Sequence, residues 1–235
     1  EGADLMITPV SAPENHFFRI KGKSELLADG TLNGEFTLTA EGQSDAAIRR
    51  MFTGNYKSEW ESSIGEELLK VAPQAEIISM DFGQPYAYQD DHIRISVQYS
   101  IPNYAIVTDD EIIFTPLVVA NLFKRGMSHM YFDPDRPEKR KYAFRDRCSR
   151  LVELNETIKL PQKGKLIAFD FDESVGNEIT SFTGNISLEG NSLSVSEKVI
   201  LGKRVYEAED WEMFRKVVQN QQKFAETPLI IELNN

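Results

Sequence analysis

Cysteine is nearly absent: these 235 residues hold one, Cys148, in the stretch RDRCSR at 145–150. A single thiol rules out an internal disulfide, and with it a disulfide-stapled scaffold, without deciding the compartment. Histidine is scarce as well, with only His16, His92 and His129, which limits both imidazole catalysis and histidine-rich metal sites. Positive charge is in deficit, since 26 Lys+Arg stand against 37 Asp+Glu for a net charge of −11. That balance argues against nucleic acid as a main partner, because phosphate binding needs a basic surface. It disfavours an anionic membrane surface for the same reason. No apolar run approaches the ~18 residues a membrane span requires. Residues 1–10, EGADLMITPV, have neither the charged start nor the apolar length of a signal peptide.

What is present suits a folded chain. Hydrophobic content of 41% and charged content of 27% are those of a globular protein with a sizeable core. Strand patterns dominate. Phe18, Ile20 and Leu26 share one parity, with Arg19, Lys21, Lys23 and Glu25 on the other. After the turn signal Ala28-Asp29-Gly30, Leu32, Phe36, Leu38 and Ala40 alternate with Asn33, Glu35, Thr37 and Thr39. Period-two alternation on both sides of a D-G turn predicts an antiparallel hairpin with one wet face.

Two helices are predicted next. SDAAIRRMF at 44–52 opens with a capping serine and an acid in its first turn. In the second, Ser58 and Glu61 have capping-box spacing, Trp60, Ile64, Leu68 and Val71 share a face, and Pro73 ends the run. Ile93, Ile95, Val97, Tyr99 and Ile101 then alternate without a break, and residues 110–119 predict a further strand that Pro116 marks as an edge or an end. A charge-rich stretch at about 124–140 with Gly126, Pro134 and Pro137 places a boundary between domains at 11–125 and 126–235.

The second half repeats the strand pattern. Val152, Leu154, Ile158 and Leu160 alternate with polar residues, as do Ile167, Phe169 and Phe171 against Asp170 and Asp172. A hairpin turning at Glu189-Gly190-Asn191 joins ITSFTGNISL to SLSVSEKVIL. A helix over roughly 207–224 has Glu207, Glu209, Asp210 and Glu212 at its start and Arg215, Lys216 and Lys223 later, in keeping with the macrodipole. Trp211, Phe214, Val218 and Ala225 share its buried face, and PLIIEL at 228–233 closes the chain as a strand. The expected class is α+β and mainly β, with antiparallel, sandwich-like sheets, two helices early and one long helix near the C-terminus.

The segments GTLNGEFTLTAEGQSDAAIRRMF, SIPNYAIV, NETIKLP, GNSLSVSEKVIL, YEAEDWEMFRKVV and PLIIEL, in that order, carry a resemblance. From about residue 16 to 234 the chain resembles the C-terminal region of bacterial transglutaminase-like proteins of the Bacteroidetes type. It departs from that pattern before the last helix, where Val205-Tyr206-Glu207 stands in place of a proline. The resemblance implies an exported, periplasmic or cell-surface protein whose catalytic Cys, His and Asp lie in a core domain not found in this sequence. No functional residue carries over.

The candidate sites are few. A nucleophilic Cys148 needs a base and an orienting group. All three histidines precede it, opposite to the Cys, His, Asp order of transglutaminase-like cores, although other families place the histidine first and order alone leaves His129 open as its base. If one strand runs through 142–148, Tyr142, Phe144 and Cys148 point to an apolar face, and a buried thiol there is inert. His92 lies on the polar row of its strand beside Asp90 and Asp91, and His16 falls at a strand end. Asp170 and Asp172, with Glu173 next, satisfy a half-solvated strand as well as they satisfy acid–base or cation chemistry. Glu156 and Glu197 interrupt apolar rows, which a bulge, an edge position or a functional pair explains. The basic run Arg136, Lys139, Arg140, Lys141, Arg145, Arg147 and Arg150 reverses the local sign of charge, either to dock an acidic partner or to guard a sheet edge. The expectation is a non-enzymatic region with no catalytic, cofactor or metal residues. Its partner is the core of a parent protein or another protein or peptide. The alternatives are a stand-alone binder of glycan or peptide, or a cryptic cysteine hydrolase.

Overall fold

Alternation becomes a continuous set of rows across one large sheet. The computed structural model describes residues 9–89, 91–135, 139–167, 171 and 173–233. Strands β1 (Phe17–Leu26) and β2 (Leu32–Ala40) form the predicted hairpin. Its turn places Gly30 at φ 82°, a left-handed conformation that a side chain disfavours, and a Cβ there would also strike the Ala105 carbonyl at 2.3 Å. Helices α1 (Gly42–Thr53) and α2 (Trp60–Leu69) follow, then β3 (Glu76–Asp81) and β4 (Ile93–Ile101). Ser58 does not cap α2. Glu59 reaches back to the Tyr56 N–H at 3.0 Å, and a single 3-10 turn at Lys57–Glu59 leads into the helix.

Short strands β5 (Ile106–Val107) and β6 (Glu111–Phe114) come next, and β6 ends before Pro116, short of the predicted 110–119. The polypeptide then runs through 3-10 turns to β7 (Phe144–Arg145) and the long β8 (Arg150–Lys159). Beyond it lie β9 (Gly164–Leu166), β10 (Ser174–Gly176), the hairpin β11 (Thr180–Glu189) and β12 (Ser192–Leu201), then β13 (Val205–Tyr206), α3 (Trp211–Glu226) and β14 (Leu229–Leu233). The strand predicted through Ile167 is therefore cut short at Leu166, and Phe169, Asp170 and Asp172 fall outside the described residues.

Eight strands make the main sheet, in the order β10-β11-β12-β8-β1-β2-β4-β3. Its pairings are antiparallel except for β1 and β8, which run parallel with Phe18 beside Val152 and Ile20 beside Leu154. The register lines up Ile95, Leu38, Ile20, Leu154 and Glu197 as one inward row, while Arg19, Glu153 and Lys198 form part of the opposite, wetter face. A four-stranded sheet, β5-β6-β14-β9, and a two-stranded ribbon of β7 with β13 complete the strands. Helix α1 packs near β1, β2 and β4, and α3 lies on β10 to β12.

Because β1 and β8 are neighbours, the division at 125/126 does not separate two sheets. One apolar core draws on both halves, from Phe18, Ile20 and Phe36 to Leu154, Phe182 and Phe214. The sequence pattern could not show this, since alternation sets which face a residue occupies but not which strand lies beside it.

Candidate functional site

The sole thiol lies at the end of the β7/β13 ribbon, just before β8. Cys148 and Phe144 are buried, but Tyr142 is 81% exposed, so the expected single strand through 142–148 does not exist. The ribbon is only two residues wide, extended by Asp146 N–H donating to the Arg204 carbonyl at 3.0 Å. Cys148 is 3% exposed, and its sulfur accepts a contact from Arg150 Nη2 at 3.3 Å. Burial raises the thiol pKa, and the nearby Arg150 guanidinium does not reverse that. A nucleophilic cysteine needs the opposite shift.

Among the described residues no hydrogen bond joins His129 to Cys148. The ring is completely buried, and its Nε2 is engaged with Gln221 Oε1 at 2.6 Å. Gln221 in turn donates from Nε2 to Glu197 Oε1 at 2.6 Å. Burial and the Arg150 charge both lower the His129 pKa, so the imidazole is neutral at neutral pH. Burial pushes Glu197 up to about 8. Glu197 therefore sits at neither a bulge nor an edge. It holds regular register with Leu154 on β8 and faces α3, which supplies Gln221.

Glu156 is likewise in regular register, opposite Val195. Ser24 Oγ donates to its Oε1 at 2.7 Å, the Val118 N–H donates to its Oε2 at 2.9 Å, and Tyr99 OH lies 2.8 Å from the same serine. Burial raises its pKa also. The two glutamates share a sheet face, are both buried and are bound to different partners.

Arg150 is the largest fully buried side chain among the described residues. Its Nη1 donates to Ser44 Oγ at 2.6 Å and to the Gly126 carbonyl, and its Nη2 to Ser128 Oγ at 2.6 Å. Ser128 passes the interaction on by donating to Asp146 Oδ1 at 2.6 Å. Asp146 also accepts from the Arg147 N–H at 2.6 Å. The charge of Asp146 is thus turned inward, towards Arg150.

The basic run consequently divides. Arg150 belongs to the interior and is not available for docking. Arg140 stacks its guanidinium over Trp211 at 4.1 Å and Phe144 at 4.6 Å. Lys139 and Lys141 are exposed, and Arg136 lies outside the described residues. Arg145 and Arg147 join Arg204, Ser128, Tyr131 and Asp146 around a cleft of about 510 Å³. Sequence reasoning missed Arg204, because only the pairing of β13 with β7 carries it there.

The remaining candidates are simpler. His92 is exposed and meets Glu41 through Nδ1 at 2.5 Å. His16 Nδ1 accepts from the Gln43 N–H at 3.2 Å, and burial lowers its pKa. Glu173 is exposed, while Asp90, Asp170 and Asp172 lie outside the described residues. Among the described residues no group of three His, Cys, Asp or Glu is placed to hold a metal. No helix among them is long and apolar enough to cross a membrane. Trp60 and Trp211 are buried at 6% and 5% exposure, as their helix faces predicted.

Residues 110–231, which include the whole cleft apart from its rim at Gln43, match the model of a family described as a Domain of Unknown Function with solved-structure structure (DUF3858). The chain belongs to this family. Among solved structures, 54% of the chain aligns with 24% of a Parabacteroides distasonis protein provisionally named a protease, at 16% identity and a TM-score of 0.43. A second alignment covers 86% of the chain and 97% of the folded domain of LppM from Mycobacterium tuberculosis, at 8% identity and a TM-score of 0.27. The chain spans about a quarter of the first of these proteins, and both similarities are too loose to assign a shared fold. No curated protein matches it.

Proposed function

We propose that this chain is a non-catalytic accessory region of an exported transglutaminase-like protein, and that it positions the catalytic core or binds a protein or peptide partner. One observation carries the non-catalytic part: Cys148 is shielded and touches Arg150, while His129 is engaged with Gln221. Among the described residues no hydrogen bond joins the thiol to the imidazole, whose Nδ1 is buried without a partner. The transglutaminase link and the exported location rest on the order of the resembling segments, from GTLNGEFTLTA to PLIIEL. The cleft flanked by Arg145, Arg147 and Arg204 supports the binding part, because a positive surface on an acidic protein suits an acidic partner.

The test is thiol accessibility. Native protein at neutral pH is expected to leave Cys148 unalkylated by iodoacetamide, with full labelling only in denaturant. Rapid native labelling that abolishes hydrolysis of a casein or peptide substrate would overturn the reading.

A further inference from the structure

We infer that the loop between β3 and β4 binds a neutral sugar unit of a glycan chain, stacked on Tyr88 and hydrogen-bonded by Gln89 and Asp91. This goes beyond the accessory reading and depends on neither the arginine cleft nor the thiol. The loop, described at 82–89 and 91–92, exposes two tyrosines, Tyr86 at 57% and Tyr88 at 60%. Both rings are held from behind. Tyr86 leans on the buried Trp60, with ring centroids 5.7 Å apart, and the Arg49 guanidinium lies over one face of Tyr88, 5.3 Å from its centroid. Arg49 is buried on α1 and directs its donors at the loop. Its Nη1 donates to the Gln84 and Pro85 carbonyls at 3.0 and 2.8 Å, and its Nη2 to the Asp91 carbonyl at 2.6 Å. Asp45 accepts from Arg49 Nε and from the Ile93 N–H, each at 2.7 Å, which ties the end of the loop to the same helix. Aromatic rings presented on a loop fastened by a buried ion pair are preorganised, and preorganisation lowers the ordering cost of binding.

Beside Tyr88 lies a hollow of about 350 Å³, walled by Glu41, Asp45, Gln89, Asp91 and His92. Its chemistry narrows the ligand. Apart from the tyrosine ring these side chains are polar, so an apolar molecule would strip water from them and return no hydrogen bond. An anion, whether phosphate or uronate, meets the Asp91 carboxylate. A cation is disfavoured at the ring, because the Arg49 charge already occupies one face of Tyr88 and repels a second. Two of the three acids are also engaged, Asp45 by Arg49 and Glu41 by His92 Nδ1 at 2.5 Å. A neutral sugar meets none of this opposition. The C–H face of a pyranose lies flat on an aromatic ring, while its hydroxyls both donate and accept. Among the described residues the Gln89 and Asp91 side chains make no hydrogen bond or ion pair, which leaves an amide and a carboxylate for those hydroxyls.

The experiment is an amide chemical-shift titration of the full 235-residue chain with cellohexaose, mannohexaose and chitohexaose, and with hexalysine and hexagalacturonate as charged controls. At least one neutral hexasaccharide is expected to shift residues 41–42, 86–89 and 91–92, with a dissociation constant of about 1 mM or tighter. Tyr88→Ala should weaken that binding about tenfold, with an unfolding midpoint near that of the wild type because the side chain is mostly exposed. Tyr88→Phe keeps the ring and should stay within about threefold of the wild type. The inference is overturned if none of the three sugars moves these residues, if hexalysine or hexagalacturonate binds there more tightly, or if Tyr88→Ala binds like the wild type. Equal losses in Tyr88→Ala and Tyr88→Phe would overturn it as well, by removing the role of the ring. A reactive Cys148, by contrast, would defeat the non-catalytic reading and leave this titration unchanged.

Discussion

His129 and Glu197 are tied together by one side chain, that of Gln221, whose carbonyl oxygen meets the imidazole and whose amide nitrogen meets the carboxyl group, each at 2.6 Å. With the glutamine oxygen accepting, the imidazole donates from Nε2 and is the neutral tautomer with its proton there. The bridge spans α3 and the central part of the sheet, and all three groups lie in the apolar core. Replacing Gln221 with Met fills the same space but strands a donor on His129 and an acceptor on Glu197. Each buried group left without a partner costs about 1–3 kcal/mol. The Gln221→Met protein is expected to lose about 2–4 kcal/mol of unfolding free energy, read as a lower urea midpoint at unchanged slope.

The same bridge gives stability two pH limbs. Glu197 has its folded pKa raised by burial from 4.5 to about 8, so above pH 4.5 the unfolded chain has released a proton that the folded chain still holds. The stabilisation from protonated Glu197 is complete below pH 4.5 and is lost as pH rises towards about 8. His129 behaves oppositely. Its folded pKa is lowered first by burial and then by Arg150, so its contribution is complete above 6.5 and is lost as pH falls below that value. Comparing wild type with Glu197→Gln by urea unfolding at several pH values should show the variant gaining relative stability between pH 5 and 8, at roughly 1 kcal/mol per pH unit. A pH-independent difference would show that Glu197 titrates normally.

Arg150 fixes three separate pieces of chain at once, through Ser44 at the start of α1, the Gly126 carbonyl and Ser128. Arg150→Met removes these donors and leaves Asp146 without its buried positive counterpart. Removing one member of a buried charge system costs about 3–5 kcal/mol, so this variant should fold marginally or not at all. Arg150→Lys keeps the charge but not the fork, and should fall between the two in thermal unfolding. Equal stability of all three proteins would remove the central role given to this side chain.

These effects also mark what the sequence could and could not express. The hairpins 17–40 and 180–201, strand β4, helix α3 and the closing strand were legible, because one face of each is wet and alternation or helical spacing follows from that. Strand β3 was not, since an edge strand whose side chains are mostly exposed carries little hydrophobic pattern and is further disturbed by a bulge between Ile77 and Ser79. Burial of Cys148 was anticipated for a reason the structure does not bear out: no strand runs through 142–148, Tyr142 is exposed, and the sulfur meets the Arg150 guanidinium. Glu156 and Glu197 stood out as breaks in apolar rows, but their partners Ser24, Val118 and Gln221 are distant in sequence and no spacing rule connects them. The basic run was visible as charge. Its division into the buried Arg150, the stacked Arg140 and the open Arg145 and Arg147 depends on a two-residue ribbon that leaves almost no periodic trace.

The parallel seam between β1 and β8 bears on how the chain reaches its native state. Arg19 on β1 and Glu153 on β8 are partners 134 positions apart, and no turn can bring such segments together early. Each hairpin can zip on its own, but the large sheet exists only once that remote closure has occurred, and closures of this length slow folding. Until then both hairpins present a bare flank to solvent and to neighbouring chains. Synthesis order makes the interval longer for the first hairpin, which must wait for the ribosome to deliver β8.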